Sequence, residues 1–206
     1  CGLGEKTFRM AHVLVLYAHP APHKSRINRR LAEAAQSVTG VTVRDLYELY
    51  PDFLIDVAEE QRLLAGHEVI VFQHPFYWYG APALVKEYLD LVLTYGWAYG
   101  ENGTALRGKV MLQAISAGGP EEVYQSGGRN RFTIRQLLAP FDQTAHLCGM
   151  RYLAPHVIHG ANSYVGEADI RPLAQNYARL LAALRDGTLP LEQAAVAEKI
   201  NDLIPA

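Results

Sequence analysis

The sequence predicts an α/β fold, a doubly wound five-stranded parallel sheet with strand order 2-1-3-4-5. Three observations predict it. Short β-branched apolar runs alternate with amphipathic helical stretches along the 206 residues, the pattern of a parallel sheet with right-handed crossovers. The runs at 11–17, 68–73 and 109–116 are almost continuously apolar at their centres, as strands buried on both faces must be. Half of the residues are hydrophobic, and a chain this long can bury roughly 70% of its unfolded surface, which suffices for one core without disulfides.

Each element follows in order. Residues 11–17 (AHVLVLY) form the first strand. His19, Pro20, Ala21 and Pro22 end it, because proline offers no ladder donor and continues neither strand nor helix easily. Ser25 reads as the N-cap of a helix with Ile27, Leu31, Ala34 and Ala35 on its apolar face, closed by Gly40. Residues 41–46 alternate as a second strand, and 47–53 read as an aromatic loop. Asp56 opens and Gly66 closes a helix over 57–65. Residues 68–73 (EVIVFQ) form the third strand, and 74–82 a second special loop. A helix over 84–94 carries Leu84, Tyr88, Leu91 and Val92 on one face. The fourth strand, 109–116, stops at Ala117, Gly118, Gly119 and Pro120. A helix over 132–148, a fifth strand over 152–159 and a helix over 169–185 complete one domain, 11–185. A tail over 186–206, helical at 191–203, follows.

Composition excludes several classes. The 19 basic and 21 acidic residues leave a net charge of −2, without the basic footprint of a nucleic-acid binder. No apolar run approaches the roughly 18 residues of a membrane span. The two cysteines, Cys1 and Cys148, are too few for a disulfide scaffold. No C-x-x-C or Cys/His cluster suggests a metal site, so a reducing cytoplasm is expected. Residues 1–9 carry no hydrophobic core of a signal peptide, and Met10 is an alternative start.

In a doubly wound sheet the ligand lies outside the carboxyl ends of the strands, at the switch point between strands 1 and 3. The loops after strands 1, 3 and 4 should therefore converge. The first holds His19 and the run Ser25, Arg26, Ile27, Asn28 at a helix N-terminus, a natural anion site. Ser25 and Asn28 can add donors, and His19 can reach a phosphate or ribityl oxygen. The second holds four consecutive aromatics, Phe76, Tyr77, Trp78 and Tyr79, which cannot all face one core and offer a wall to a planar ring. The third holds Ser116, Ala117, Gly118 and Gly119, whose glycines let backbone donors approach a ligand. Taken singly, each has a plain alternative: an ordinary capped helix, a hydrophobic plug or dimer contact, a tight turn. Taken together, anion donors, aromatic faces and backbone donors match FMN. Neither G-x-G-x-x-G nor a Walker motif is present, which disfavours a Rossmann dinucleotide site or an NTPase.

At these residues the chain resembles the NAD(P)H quinone oxidoreductase family of flavodoxin-like proteins, and within it the ancillary proteins of glutathione-gated potassium efflux systems. The matching stretches are YAHP at 17–20, SRIN at 25–28, LYELYPDF at 46–53, QHPFYWY at 73–79, YGWAYG at 95–100 and SAGG at 116–119. The resemblance implies FMN as cofactor, with FAD as the alternative because larger relatives of the fold hold it. It implies NAD(P)H as donor, a quinone-type acceptor and a ping-pong cycle of hydride transfer. It also implies a homodimer in which the partner's Trp97 and Tyr99 border the acceptor pocket. Tyr124 matches a tyrosine that larger animal quinone reductases carry beyond the glycine turn, but Asn130 stands where those enzymes have a histidine. A catalytic Tyr124 is therefore expected without that histidine's proton relay. Rival readings are an FMN-binding regulatory subunit docked on a potassium efflux transporter at the inner membrane face, a one-electron carrier, and an azoreductase.

Overall fold

The computed structural model describes residues 10–205; the reading of residues 1–9 as an extension before Met10 lies outside them. The chain runs β1 (Val13–Tyr17), α1 (Ile27–Gln36), β2 (Val41–Asp45), α2 (Leu46–Leu49), α3 (Val57–Gly66), β3 (Val69–Pro75), α4 (Ala83–Val92), β4 (Val110–Ser116), α5 (Ile134–Leu137), α6 (Ala139–Leu147), β5 (Arg151–Tyr152), β6 (His156–Ile158), α7 (Glu167–Asp186) and α8 (Leu191–Val196). The sheet is wholly parallel, in the order β2-β1-β3-β4-β5, with β6 also paired to β4. The expected 2-1-3-4-5 order is therefore present.

Alternation along the strands explains the two helical layers. Leu14, Leu16, Ile70 and Phe72 face one side, where Leu64, Leu84, Tyr88 and Phe141 of α3, α4 and α6 cover them. Val13, Val15, Val69 and Val71 face the other, under Ile27 and Leu31 of α1 and Tyr177, Leu180 and Leu184 of α7. All five residues of β1 and all seven of β3 are buried. Leu189, Ala194 and Ile200, from the last residues, are buried in this second cluster.

Four expectations change, each for a local reason. The helix expected over 132–148 is split into α5 and α6. Pro140 has no N–H for the Gln136 carbonyl and its ring crowds that turn, while Thr133 and Gln136 form a capping box that starts α5. The fifth strand, expected unbroken over 152–159, is interrupted before Pro155, which cannot donate to a ladder; β5 pairs at Val110 and Met111, and β6 resumes at Ala114. The aromatic loop at 47–53 begins with a helical turn, α2, because the Asp45 carboxylate accepts from the Glu48 N–H. Its Tyr50 is buried and donates 2.6 Å to Glu60, a wholly buried carboxylate that also accepts from Arg44 and Tyr88. The helix expected over 191–203 ends at Val196, where the Arg135 guanidinium takes the Ala195 and Ala197 carbonyls, and a 3-10 turn, Asn201–Leu203, follows.

Candidate functional site

The strand register brings the three loops to one end of the sheet. Tyr17 pairs with Gln73, and Pro75 pairs with Ser116. The chain leaves β1 towards β2 on one side and returns to β3 on the other, so a crevice opens at the switch point. It holds a cavity of about 540 Å³ lined by His19, the residues 25–28, Phe76, Tyr77, Trp78, Ser116 and Gly118, within the usual range for small-molecule sites. Lys24 lines it too, and no carboxylate does among the described residues.

The first loop presents free backbone donors at a helix N-terminus. After β1 the chain makes a 3-10 turn, Pro22–Lys24, before α1. Ser25 does not cap α1 as expected: the cap position is Arg26, with no side-chain capping bond. The extra turn moves Ser25 one residue back, and its hydroxyl oxygen instead accepts from the Arg29 N–H at 3.1 Å and from the Tyr17 hydroxyl at 3.2 Å. The Ser25 proton stays available to a ligand. The N–H groups of Arg26, Ile27 and Asn28 find no acceptor among the described residues, leaving backbone donors at the positive end of the helix dipole. His19 is nearly buried, and burial lowers its pKa, favouring the neutral ring. Its Nδ1 accepts from the Ala21 N–H at 3.1 Å, so the proton sits on Nε2.

Asn28 and Ser116 join the first loop to the third. The Asn28 amide donates 2.7 Å to the Ser116 hydroxyl, and the Asn28 carbonyl accepts from Gln73 at 2.7 Å. The Asn28 Oδ1 is buried with no partner among the described residues, which leaves an unsatisfied acceptor. Ala117 is placed differently from its neighbours. Its side chain is wholly buried and its N–H donates to the Ile158 carbonyl, so it supports the turn from beneath. Gly118 reaches the cavity, and a Cβ there would stand 3.3 Å from the Asn162 amide. A Cβ on Gly119 would stand 3.0 Å from the Val123 side chain.

The second loop divides its aromatics as expected. Phe76 is buried, Tyr77 and Tyr79 are about half exposed at 45% and 47%, and Trp78 is 93% exposed. Trp78 and Tyr79 both adopt left-handed backbone, φ 47° and 64°, an unfavourable conformation for aromatic residues. The Phe76 N–H bonds the Ser116 carbonyl at 2.8 Å and fixes the base of this turn. A second cleft of about 190 Å³ shares Phe76 and Trp78 with the main cavity and adds Tyr79, Gly119, Tyr124, Arg129 and Asn130. Burial raises the Tyr124 pKa above the usual phenol value, so its hydroxyl remains a proton donor. Trp97 and Tyr99 line neither cavity; both are partly buried against the core beyond α4.

The sequence reading missed Ala161 and Asn162, which line the main cavity from the loop after β6. Their signal was positional: that loop leaves the same end of the sheet. Arg129 was missed for lack of any pattern around it.

Comparison with known proteins gives the following. A family model described as flavodoxin-like fold matches residues 11–184. The glutathione-regulated potassium-efflux system ancillary protein KefG of Pectobacterium carotovorum is 50% identical over 149 residues, covering 72% of this chain and 81% of that protein. The uncharacterized NAD(P)H oxidoreductase YdeQ of Bacillus subtilis is 46% identical over 166 residues, covering 81% and 84%. Among solved structures, the general stress protein 14 of Treponema denticola in complex with FMN has a TM-score of 0.77 at 38% identity, covering 84% and 98%. An NADPH-quinone reductase from P. pentosaceus has a TM-score of 0.73 at 30% identity, covering 82% and 96%. A chain described as a thermophilic tryptophan halogenase from Streptomycin violaceusniger has a TM-score of 0.78 at 48% identity, covering 82% and 97%.

Proposed function

Because this chain belongs to the flavodoxin-like family matched over residues 11–184, we propose that it is an FMN-dependent NAD(P)H:quinone-type oxidoreductase. The observation that carries this reading is the three unpaired N–H groups of Arg26, Ile27 and Asn28 beside Lys24, in one cavity with the aromatic wall. The residues present fit FMN. The cradle suits a phosphate dianion, the unpartnered Asn28 Oδ1 suits a ribityl hydroxyl, and the glycine loop with Phe76, Tyr77 and Trp78 suits a planar ring. The FMN complex of the 38%-identical stress protein and the names of YdeQ and the quinone reductase support the same assignment.

When bound, FMN would supply the two-electron redox chemistry that links NAD(P)H to the acceptor. The chain's residues do the rest. Ser25 and the α1 amides would hold the phosphate, Ser116 and Gly118 would meet the ring system, and Trp78 and Tyr79 would offer faces on which donor or acceptor stacks. Tyr124 stands protonated beside Gly119 and offers its hydroxyl to an acceptor oxygen. A second protomer, related by a two-fold axis, would roof the pocket with its own copies of Trp97 and Tyr99. Steady-state oxidation of NADH and NADPH, with quinone and azo acceptors compared, tests the reading. Turnover with quinones in intersecting-free, parallel double-reciprocal plots supports it; absence of donor oxidation by the flavin-loaded protein overturns it.

The identity to KefG supports a second reading, in which the same domain docks on the cytosolic face of a potassium efflux transporter. No helix of the described residues is long and apolar enough to cross a membrane. Pull-down with that transporter's cytosolic domain discriminates the two.

A further inference from the structure

We infer that the smaller cleft, formed by Tyr79, Tyr124, Arg129 and Asn130, is a docking subsite for the phosphate groups of the nicotinamide dinucleotide, with Arg129 as their cation. The inference rests on the oxidoreductase reading for the identity of the dinucleotide, and on the following geometry for the site.

The cleft adjoins the main cavity through Phe76 and Trp78. A molecule stacked on the aromatic wall therefore reaches both. At about 190 Å³ the cleft takes part of a ligand, not a whole dinucleotide. Among the described residues neither cavity is lined by an aspartate or glutamate, whereas the two cavities beside Lys199 both include Glu121. In a chain with net charge −2, this crevice is locally cationic. Lys24 and Arg26 serve one end, where the helix cradle lies. Arg129 serves the other and has no carboxylate within ion-pair distance among the described residues. The acidic residues nearest in sequence do not neutralise the cleft: Glu121 pairs with Lys199 at 2.7 Å, and Glu122 lines neither cavity.

The turn that carries Arg129 is built to hold it there. The Asn130 N–H returns to the Val123 carbonyl at 3.0 Å, and the Gly128 N–H to the Gln125 carbonyl at 2.9 Å. Gly128 is required by this closure, since a Cβ there would stand 2.8 Å from the Glu122 carbonyl oxygen. The Tyr79 hydroxyl reaches Asn130 Oδ1 at 3.4 Å and links the turn to the aromatic wall. Arg129 is close enough to Tyr124 to favour its phenolate, against the larger effect of burial. A planar guanidinium beside aromatic faces is suited to a nucleotide, since its fork binds phosphate oxygens in pairs while the rings stack.

The test measures binding apart from turnover. ADP-ribose and adenosine 2′,5′-bisphosphate are titrated calorimetrically into the flavin-loaded protein, the first probing the diphosphate and the second the 2′-phosphate. Arg129→Gln should weaken whichever probe binds by roughly tenfold or more, and Arg129→Lys should restore part of it. In kinetics, Arg129→Gln should raise KM for NADPH more than it lowers kcat. It should shift KM for 1-benzyl-1,4-dihydronicotinamide, which has no phosphate, far less. Equal affinity of Arg129→Gln and the unaltered protein for both probes overturns the inference, as does an equal rise in KM for the two donors. If the protein oxidises no nicotinamide yet still loses probe affinity on Arg129→Gln, the oxidoreductase reading fails and the nucleotide-phosphate subsite stands.

Discussion

The Asn28 amide donates to the Ser116 hydroxyl across 2.7 Å, joining residues 88 positions apart and locking the helix cradle to the glycine loop. It is the direct side-chain bond between the two loops, beside the Gln73 bond to the Asn28 carbonyl and the Phe76 N–H bond to the Ser116 carbonyl. Ser116→Ala removes the acceptor and leaves a buried amide unpaired. Folding stability should fall by about 1–2 kcal/mol, read by urea unfolding, and FMN should bind more weakly. Unchanged stability and affinity would show that the two loops are held independently.

Ser25→Glu places a carboxylate beside the free amides of α1. It should weaken FMN at least about tenfold by repulsion of the phosphate, and added salt should recover part of the loss. Fluorescence titration of the folded variant measures this. An unaltered dissociation constant would remove the phosphate from the cradle.

His156 carries part of the pH dependence, as does the equally buried His74. The His156 ring is buried against Tyr177, with centroids 5.5 Å apart, and burial lowers its pKa to about 4. In the unfolded chain it titrates near 6.5. The folded state therefore holds fewer protons between these values, and stability present above about pH 6.5 is lost as pH falls towards 4. His156→Gln should lose about 2 kcal/mol less stability between pH 7 and pH 4.5 than the unaltered protein. Parallel losses in urea unfolding at the two pH values would count against a neutral buried ring.

Trp97→Ala tests the partner's share of the acceptor pocket. Trp97 is only partly buried within its own chain, beyond α4 and outside both cavities. In a dimer with partner-completed pockets, the variant should raise KM for quinone more than KM for NAD(P)H while retaining FMN. An active monomer in light scattering at assay concentration, or unaltered quinone kinetics, would refute this.

Most of the fold was legible because β1, β3 and β4 are buried on both faces and so carry mostly apolar runs, broken only by buried polar residues such as Gln73 and Gln113. The site was legible in outline because a doubly wound sheet sends the loops after those strands to one end. What failed was local. Pro140 and Pro155 broke elements whose periodicity ran on, since hydrophobic period records burial and not hydrogen-bond continuity. Ser25 lies one residue before the cap position of α1, with its hydroxyl on the Arg29 N–H, because the 3-10 turn at Pro22–Lys24 has no strong sequence mark. Ala117 shares a loop with Gly118 but points into the core, which a list of loop residues cannot distinguish. Asn162 and Arg129 reach the crevice only through tertiary closure of the loops that bear them.

The central claim is that this crevice holds FMN, and the most direct measurement is the flavin content of the purified protein. Visible absorbance, followed by denaturation and chromatography of the released cofactor, should give one FMN per chain after saturation with added flavin and removal of the excess. A chain that stays colourless after incubation with FMN, or that releases stoichiometric FAD, would contradict it.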